Sequence, residues 1–315
     1  MIKPFADYLT FTLFGLQPDT HLGEALNFFI YDTIKIFLLL CTIIFVVAII
    51  RSSFPPERTK RILSHKREYV GNVIAALLGI VTPFCSCSAV PLFIGFVESG
   101  VPLGVTFSFL VSSPMVNEVA LIMLWGMFGW KIALIYIGTG LLVAIVSGII
   151  IGRLKMEKHV QDYVWEMQVG QQEIVEQTFR DKLVYARDYT RDLLKKVFPY
   201  VVIGVGLGAF IHGYVPQDFL ARWAGPDNPF AVPVAVALGV PLYSNAAGVI
   251  PIVHALTSKG MAIGTVLAFM MAVTALSLPE AIILSIVLKL RLLVTFFGIV
   301  ATAIVFVGYL FNMIL

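Results

Sequence analysis

The stretch "TPFCSCSAVPLFIGFVESGVP", from Thr82 to Pro102, interrupts one of the most apolar regions of the chain. It carries three prolines and two cysteines, Cys85 and Cys87, that are one residue apart. Proline lacks a backbone donor and disfavours helix at the residue before it, so we predict a helix that opens here. Thiols at such an opening indicate a binding role, and the alternative is that both cysteines pack as small buried hydrophobic residues.

Composition shows which solvent surrounds this stretch. The chain of 315 residues is 59% hydrophobic and 13% charged, with a mean hydropathy of +0.92, whereas a soluble chain is nearer one quarter charged. A spanning helix needs about 20 apolar residues. We therefore predict an all-α, polytopic protein that lies in the lipid bilayer. Its apolar runs are 27–50, 70–99, 103–125, 131–152, 196–214, 230–257, 261–288 and 292–315.

The basic residues predict the topology. Most Lys and Arg lie in three stretches, 51–68, 153–196 and 289–291, and the positive-inside rule assigns these to the cytoplasm. The chain must then cross the membrane an even number of times between the first two stretches. Three apolar runs lie between them, so we predict that 70–99 is re-entrant, and 230–257 likewise. The prediction is six full crossings with two re-entrant elements. The alternative of eight plain helices leaves a basic stretch on the wrong side.

The two halves of the chain resemble each other. Pro83, Ser86, Ala89 and Pro91 match Pro241, Ser244, Ala247 and Pro251 if two residues are inserted, and a further shift pairs Glu118 with Glu280. The halves start on opposite sides of the membrane, which makes them an inverted repeat of four apolar segments each, common among secondary transporters. The predicted domains are 1–152, a charged cytoplasmic connector 153–195, and 196–315.

Broken segments in matching positions of two repeats are the best sequence indication of a transport site near the bilayer midplane. Irregular backbone at that depth must be buried in protein or line a wet cavity. We predict breaks at Pro83, Pro91, Pro114, Pro241, Pro251 and Pro279. The predicted substrate-binding residues are Cys85, Ser86, Cys87, Ser88, Tyr243, Ser244 and Asn245. The alternative is a pair of packing kinks whose Ser and Asn side chains satisfy freed backbone groups.

Carboxylates inside apolar runs are the candidates for coupling. Glu118, beside Asn117, and Glu280 lie within membrane-spanning stretches, where ionisable residues are costly and usually functional. We predict that one or both carry a proton during transport. The alternative is that each stabilises the start of a helix after a proline break.

Other function classes find little support in the residues. No P-loop, zinc-protease motif or Ser/His/Asp set stands out, so we predict neither an enzyme nor a bound cofactor or metal. Nothing indicates nucleic-acid binding, and a homo-oligomer remains open. A Cys-x-Cys pair suits soft metals, and trivalent arsenic is similarly thiophilic. The alternatives are a passive channel and a membrane thiol redox protein, which would require a lowered thiol pKa.

The motifs also resemble a known family. "TPFCSCSAVPLFIGFVESGVPLG" and "SSPMVNEVAL" are similar to the predicted permeases that include the ArsP-like organoarsenical efflux proteins. The resemblance implies a permease of the bacterial or archaeal inner membrane that exports a small solute, such as a trivalent organoarsenical. It also implies Cys85 and Cys87 as ligands. Transport of another soft ion or of a sulfur compound remains the alternative.

Overall fold

The computed structural model describes residues 2–18, 20–53, 68–81, 93, 95–97, 100–116, 118–162, 179–214, 228–242, 246–258 and 260–315. Within these ranges the chain is helical, apart from turns and one isolated β-bridge. The α-helices are α1 Ile2–Asp7, α2 His21–Ser53, α3 Glu68–Val81, α4 Leu103–Met115, α5 Glu118–Phe128, α6 Trp130–Arg153, α7 Phe179–Tyr214, α8 Ala231–Gly239, α9 Ala246–Ser258, α10 Ile263–Ala275, α11 Leu278–Leu284 and α12 Leu290–Ile314. A π-helix, Tyr8–Leu13, continues α1, and a 3-10 turn, Glu157–His159, follows α6.

The helices form two compact units. The first unit comprises Met1–Leu39, Phe198–Ile283 and Ile304–Leu315, and the second comprises Leu40–Val197 and Leu284–Ala303. Each unit takes segments from both halves of the chain, so a unit is not the same thing as a sequence repeat. The domain boundaries expected from the sequence remain a prediction.

In the second unit, α3 and α4 lie side by side and run in the same direction. The Ser108 hydroxyl donates to Asn72 Oδ1 at 2.8 Å, and one turn further along the Ser112 hydroxyl donates to Ala76 O at 2.6 Å. Near the end of α3, a Cβ on Gly79 would lie 2.9 Å from the Ser112 Cβ. The two helices therefore start at the same end of the unit, and the chain must return to that end between them.

Helix α6 packs antiparallel against α4. A Cβ on Gly104, at the start of α4, would lie 2.5 Å from Gly148 O and 2.9 Å from Gly152 Cα, near the end of α6. At the other end of the pair, the Tyr136 hydroxyl donates to Met115 O at 3.2 Å. Paired glycines let the two backbones approach closely, as is common between membrane helices.

The first unit contains the same three-helix arrangement, made by α8, α10 and the part of α12 from Ile304 onward. A Cβ on Gly239 would lie 3.0 Å from the Ala272 Cβ, and one on Gly264 would lie 2.5 Å from Gly308 O. Each of these residues follows its counterpart in the second unit by 160 positions: Gly79, Ser112, Gly104 and Gly148.

Helix boundaries keep the same spacing. Helices α4 and α10 start at Leu103 and Ile263, 160 positions apart, and each has 13 residues. Helices α6 and α12 start at Trp130 and Leu290, again 160 apart. These recurring contacts and lengths support an internal duplication. The inverted orientation of the copies stays a prediction.

This constant spacing corrects two details of the sequence alignment. Gly79 and Gly100 are separated by as many residues as Gly239 and Gly260, so no insertion is needed between the copies. Cys85 is then equivalent to Asn245. Helix α5 starts at Glu118 and α11 at Leu278, so Glu118 is equivalent to Leu278 and the predicted pairing of Glu118 with Glu280 is wrong.

A shared turn supports the corrected register. Gly100 and Gly260 both have positive φ, 73° and 86°. In each copy the glycine N–H bonds three residues back and the next N–H bonds five residues back. This is the Schellman motif of helix C-termini, in which glycine adopts the left-handed conformation without strain.

The ends of the basic stretches meet within the second unit. The Arg153 guanidinium donates to the Tyr69 hydroxyl, which lies just after the first basic stretch. Residues 159–161 pair with 287–289 through the Val160–Leu288 bridge, and Lys289 Nζ lies 2.8 Å from Asp162 Oδ1. The described ends of all three basic stretches therefore belong to one unit. The ion pair itself is exposed and adds at most about 1 kcal/mol.

Length and composition identify the helices that are able to span a bilayer. Among the described residues, three qualify: Trp130–Arg153, Ile263–Leu284 and Leu290–Ile314. The pair Leu103–Met115 and Ala120–Phe128, bent by 48°, makes a fourth if it counts as one broken span. A helical, membrane-embedded protein is thus confirmed, while the count of six crossings and two re-entrant elements remains a prediction.

We predict that Asn72→Ala destabilises the protein by about 1–3 kcal/mol, because it removes the acceptor of the buried Ser108 hydroxyl. The double variant Asn72→Val/Ser108→Ala installs the pair that the first unit carries at Val232 and Ala268, and it should recover most of that loss. Thermal unfolding in detergent measures both. A double variant that is less stable than Asn72→Ala alone would contradict the assigned hydrogen bond.

Candidate functional site

Several predicted site residues lie outside the described part of the chain. These are Pro83, Cys85, Ser86, Cys87, Ser88, Pro91, Asn117, Tyr243, Ser244 and Asn245, together with the side chains of Glu118, Pro251 and Pro279. The structure describes the helix ends that adjoin these residues in the sequence.

In the second unit, the end of α3 lies against the end of α4. Gly79 contacts Ser112 there, and a Cβ on it would lie 3.1 Å from the Ser113 nitrogen. The segment with the cysteines follows α3 in the sequence, and Asn117 and Glu118 follow α4. The packing of these two helix ends therefore brings the starts of both predicted functional segments to one end of the same helix pair.

The predicted break near Pro114 corresponds to the end of α4. Pro114 is the second-last residue of α4, and Val116 is extended, with φ −121° and ψ 94°. The chain bends by 48° before Ala120–Phe128 continues it. Proline lacks an N–H and crowds the carbonyl four residues earlier, so Pro114 weakens the last turn of α4.

In the first unit, a hydrogen bond links the equivalent segments. The Leu278 N–H donates to Val240 O at 2.7 Å. Val240 immediately precedes Pro241 and the predicted binding residues 243–245, and Leu278 lies two residues before Glu280. The start of the polar segment and the start of the helix with the carboxylate are thus held together.

Glu280 is buried, with 1% of its surface exposed, in the first turn of α11. Its own N–H donates to the Ser277 hydroxyl at 3.3 Å, a capping contact that fixes the helix start. Sequence reasoning missed Ser277, although a serine three residues before a glutamate, ahead of an apolar run, is a helix-start signal.

The remaining prolines differ in setting. Pro241 lies in the turn that follows α8, while Pro279 is the second residue of α11, where a missing N–H costs little. Pro251 lies within α9, and the described backbone is helical on both sides of it.

No group of three His, Cys, Asp or Glu among the described residues is placed to hold a metal ion.

Comparison with known proteins then identifies the family. The model of a family described as "Predicted permease" (ArsP_1) matches residues 21–313. The chain belongs to this predicted permease family. This confirms the resemblance carried by the cysteine motif, and it supports a membrane transporter rather than an enzyme.

Individual relatives are distant. UPF0718 protein MJ0584 of Methanocaldococcus jannaschii is 23% identical over 80% of this chain and 84% of its own length. UPF0718 protein YcgR of Bacillus subtilis is 25% identical over 55% of this chain and 58% of its own. UPF0718 protein YraQ of Escherichia coli is 24% identical over 75% and 66%. No solved structure gave a significant match.

Proposed function

We propose that the protein is a secondary exporter of the inner membrane that carries a small thiophilic solute, with a trivalent organoarsenical as the first candidate. The observation that supports this most is the repeated three-helix arrangement. In the second unit the end of α3, which precedes the cysteine segment, packs against the end of α4, which precedes Glu118. In the first unit Val240, which precedes the polar residues 243–245, is hydrogen-bonded to Leu278, two residues before Glu280. Duplicated broken elements of this kind are typical of transporters.

Contacts within the second unit support the re-entrant topology. The start of α3, at Tyr69, bonds to the end of α6, at Arg153, and the start of α4 packs against the same end of α6. If that end faces the cytoplasm, as the basic residues indicate, the chain enters the membrane with α3 and returns to the same side before α4. Helices α4 and α5 then cross outward and α6 returns.

The substrate class rests on the cysteines. Cys85 and Cys87 supply two soft sulfur ligands, and the equivalent position in the other copy, Asn245, supplies an amide. The two copies therefore offer unlike chemistry, which suits a cargo with one soft and one polar side. Coupling to protons through Glu118 and Glu280 completes the proposal, since carboxylates within membrane-spanning segments commonly mark proton relays.

The test measures accumulation of a trivalent organoarsenical in energised inside-out vesicles. We expect uptake by the wild type and its loss in Cys85→Ser/Cys87→Ser, because serine retains the size of cysteine but not its affinity for soft ions. Cys41→Ser, which changes the exposed thiol in α2, is the matched control and should transport normally. Uptake by the double variant would remove the thiols from the proposal, and no uptake by the wild type would remove arsenicals.

A further inference from the structure

The contact line between α3 and α4 in the second unit, which we call the seam, carries polar side chains. The equivalent line between α8 and α10 in the first unit carries apolar residues at the matching positions. Four polar side chains of α3 and α4 and a fifth on α6, Ser147, are each at most 3% exposed: Asn72, Ser108, Ser112, Ser113 and Ser147. The residues 160 positions later are all apolar: Val232, Ala268, Ala272, Val273 and Val307. The helix contacts are otherwise alike in the two units.

Close packing does not require these hydroxyls. The first unit brings its helices equally close with alanine, since a Cβ on Gly239 would lie 3.0 Å from Ala272 and one on Gly79 would lie 2.9 Å from Ser112. Buried hydroxyls and amides carry a desolvation cost that alanine and valine avoid, and hydrogen bonds such as that of Ser108 to Asn72 only offset it. The polar seam therefore calls for a reason other than packing.

A cavity of ≈ 30 Å³ opens at the start of the seam. It lies where the start of α3, the start of α4 and the end of α6 meet, and its lining includes Tyr69, Asn72, Gly104, Gly152 and Glu157. A water molecule needs about 10–15 Å³ of such space and two or more polar partners. The cavity, which we call the mouth, meets both conditions.

Asn312 occupies the equivalent place in the first unit. Asn312 takes the position of Gly152, and its amide donates to the Thr265 hydroxyl at 3.1 Å. The Asn312 Oδ1 lies 2.5 Å from where a Cβ on Gly264 would be. A side chain thus fills the place that stays open beside Gly104 in the second unit.

A third observation comes from the buried face of α6. Ser147 is completely buried, and its hydroxyl has no hydrogen-bond partner within the described part of the chain. It neighbours Gly148, where a Cβ would collide with the Ser108 hydroxyl. Leaving a buried hydroxyl unsatisfied costs about 1–3 kcal/mol, and a bound water is the ordinary remedy.

We propose that the seam is a water path, which runs from the mouth at Asn72 and Glu157 along Ser108 and Ser112 to the end of α3. The path ends at the end of α3, and the cysteine segment follows α3 in the sequence. The first unit has apolar residues at the equivalent positions, so the two copies differ in this respect. This inference goes beyond the proposed function and does not depend on the identity of the cargo.

Silver ions test the path, because they travel in water and bind thiolates. In a chain with Cys41, Cys85 and Cys87 replaced by serine, we would compare Ser112→Cys with its counterpart Ala272→Cys in lipid nanodiscs. After timed exposure to Ag⁺, the protein is unfolded and the remaining free thiol is counted with a maleimide polymer. We expect Ser112→Cys to be blocked about tenfold faster or more, since access controls thiol reactivity.

Filling the mouth with a larger side chain gives the second measurement. Gly152→Asn in the Ser112→Cys background installs the residue of the first unit and should slow silver binding to the rate of Ala272→Cys. If Ser112→Cys does not fold, Ser108→Cys and Ala268→Cys form the equivalent pair. Equal rates in the two units would overturn the water path. A rate unchanged by Gly152→Asn would overturn the mouth as its entrance.

Discussion

Replacing Gly104 with alanine should destabilise the folded protein by about 1–3 kcal/mol, the usual cost of overpacking. The added Cβ would lie 2.5 Å from Gly148 O and 2.9 Å from Gly152 Cα. Both atoms belong to backbone, so no side chain is able to move aside and the two helices must separate. Gly264→Ala should have a similar effect, because its Cβ would meet Gly308 O at 2.5 Å.

The chain supplies its own controls for this prediction. Gly138 and Gly298 occupy equivalent positions in α6 and α12, and a Cβ on either meets nothing within 4 Å. Alanine there should be neutral or stabilising by up to about 1 kcal/mol, as expected for glycine in a helix. Thermal unfolding in detergent ranks the four variants. A Gly104→Ala protein that melts at or above the wild-type temperature would contradict the assigned helix contact.

Much of this architecture follows from the sequence, because the lipid bilayer restricts which backbone structures the chain is able to adopt. The apolar runs predict helices, and most described helices coincide with them, although α7 begins at Phe179, within the charged connector. One predicted break, at Pro114, lies one residue before the end of α4, whereas α9 is helical on both sides of Pro251. Glycine adopts positive φ without strain, and Gly100 and Gly260 both do so. At these two glycines one residue type has a strong local consequence for the backbone.

The alignment of the two copies could not be derived so reliably. Pro83 and Pro241 are the most conspicuous pair, but they are 158 positions apart, while the packing contacts are 160 apart. Matching the prolines therefore requires an insertion that the constant spacing of the packing contacts rules out. Register is determined by which small residues face a neighbouring helix, and that information appears only when the helices are packed.

The polar seam was missed for the same reason. Asn72 lies in one apolar run and Ser108 in another, and neither is unusual in its own segment. Their significance comes from the 2.8 Å hydrogen bond that joins them and from the valine and alanine at the equivalent positions. Sequence alone lists serines, whereas the fold shows which of them lie together.

Replacing Glu280 with glutamine is expected to reduce proton-driven uptake to the level of empty vesicles and to flatten its pH dependence. Glutamine keeps the size of the side chain and its capacity for hydrogen bonds but does not release a proton at any working pH. The Glu280 side chain is 1% exposed and its backbone N–H is capped by Ser277, so the variant should fold. The lost charge at a helix start costs only about 0.3–1 kcal/mol.

Three comparisons distinguish proton transfer from helix stabilisation at this residue. Glu24→Gln removes an exposed carboxylate from the first turn of α2 and should leave uptake unchanged. Ser277→Ala weakens the cap of α11 without altering the carboxylate, so it should lower stability while the pH profile keeps its shape. Glu118→Gln should also lose uptake, because its equivalent is Leu278 and the other copy has no carboxylate at that position. Wild-type uptake with an unchanged pH profile in both glutamine variants would exclude these carboxylates as the coupling groups.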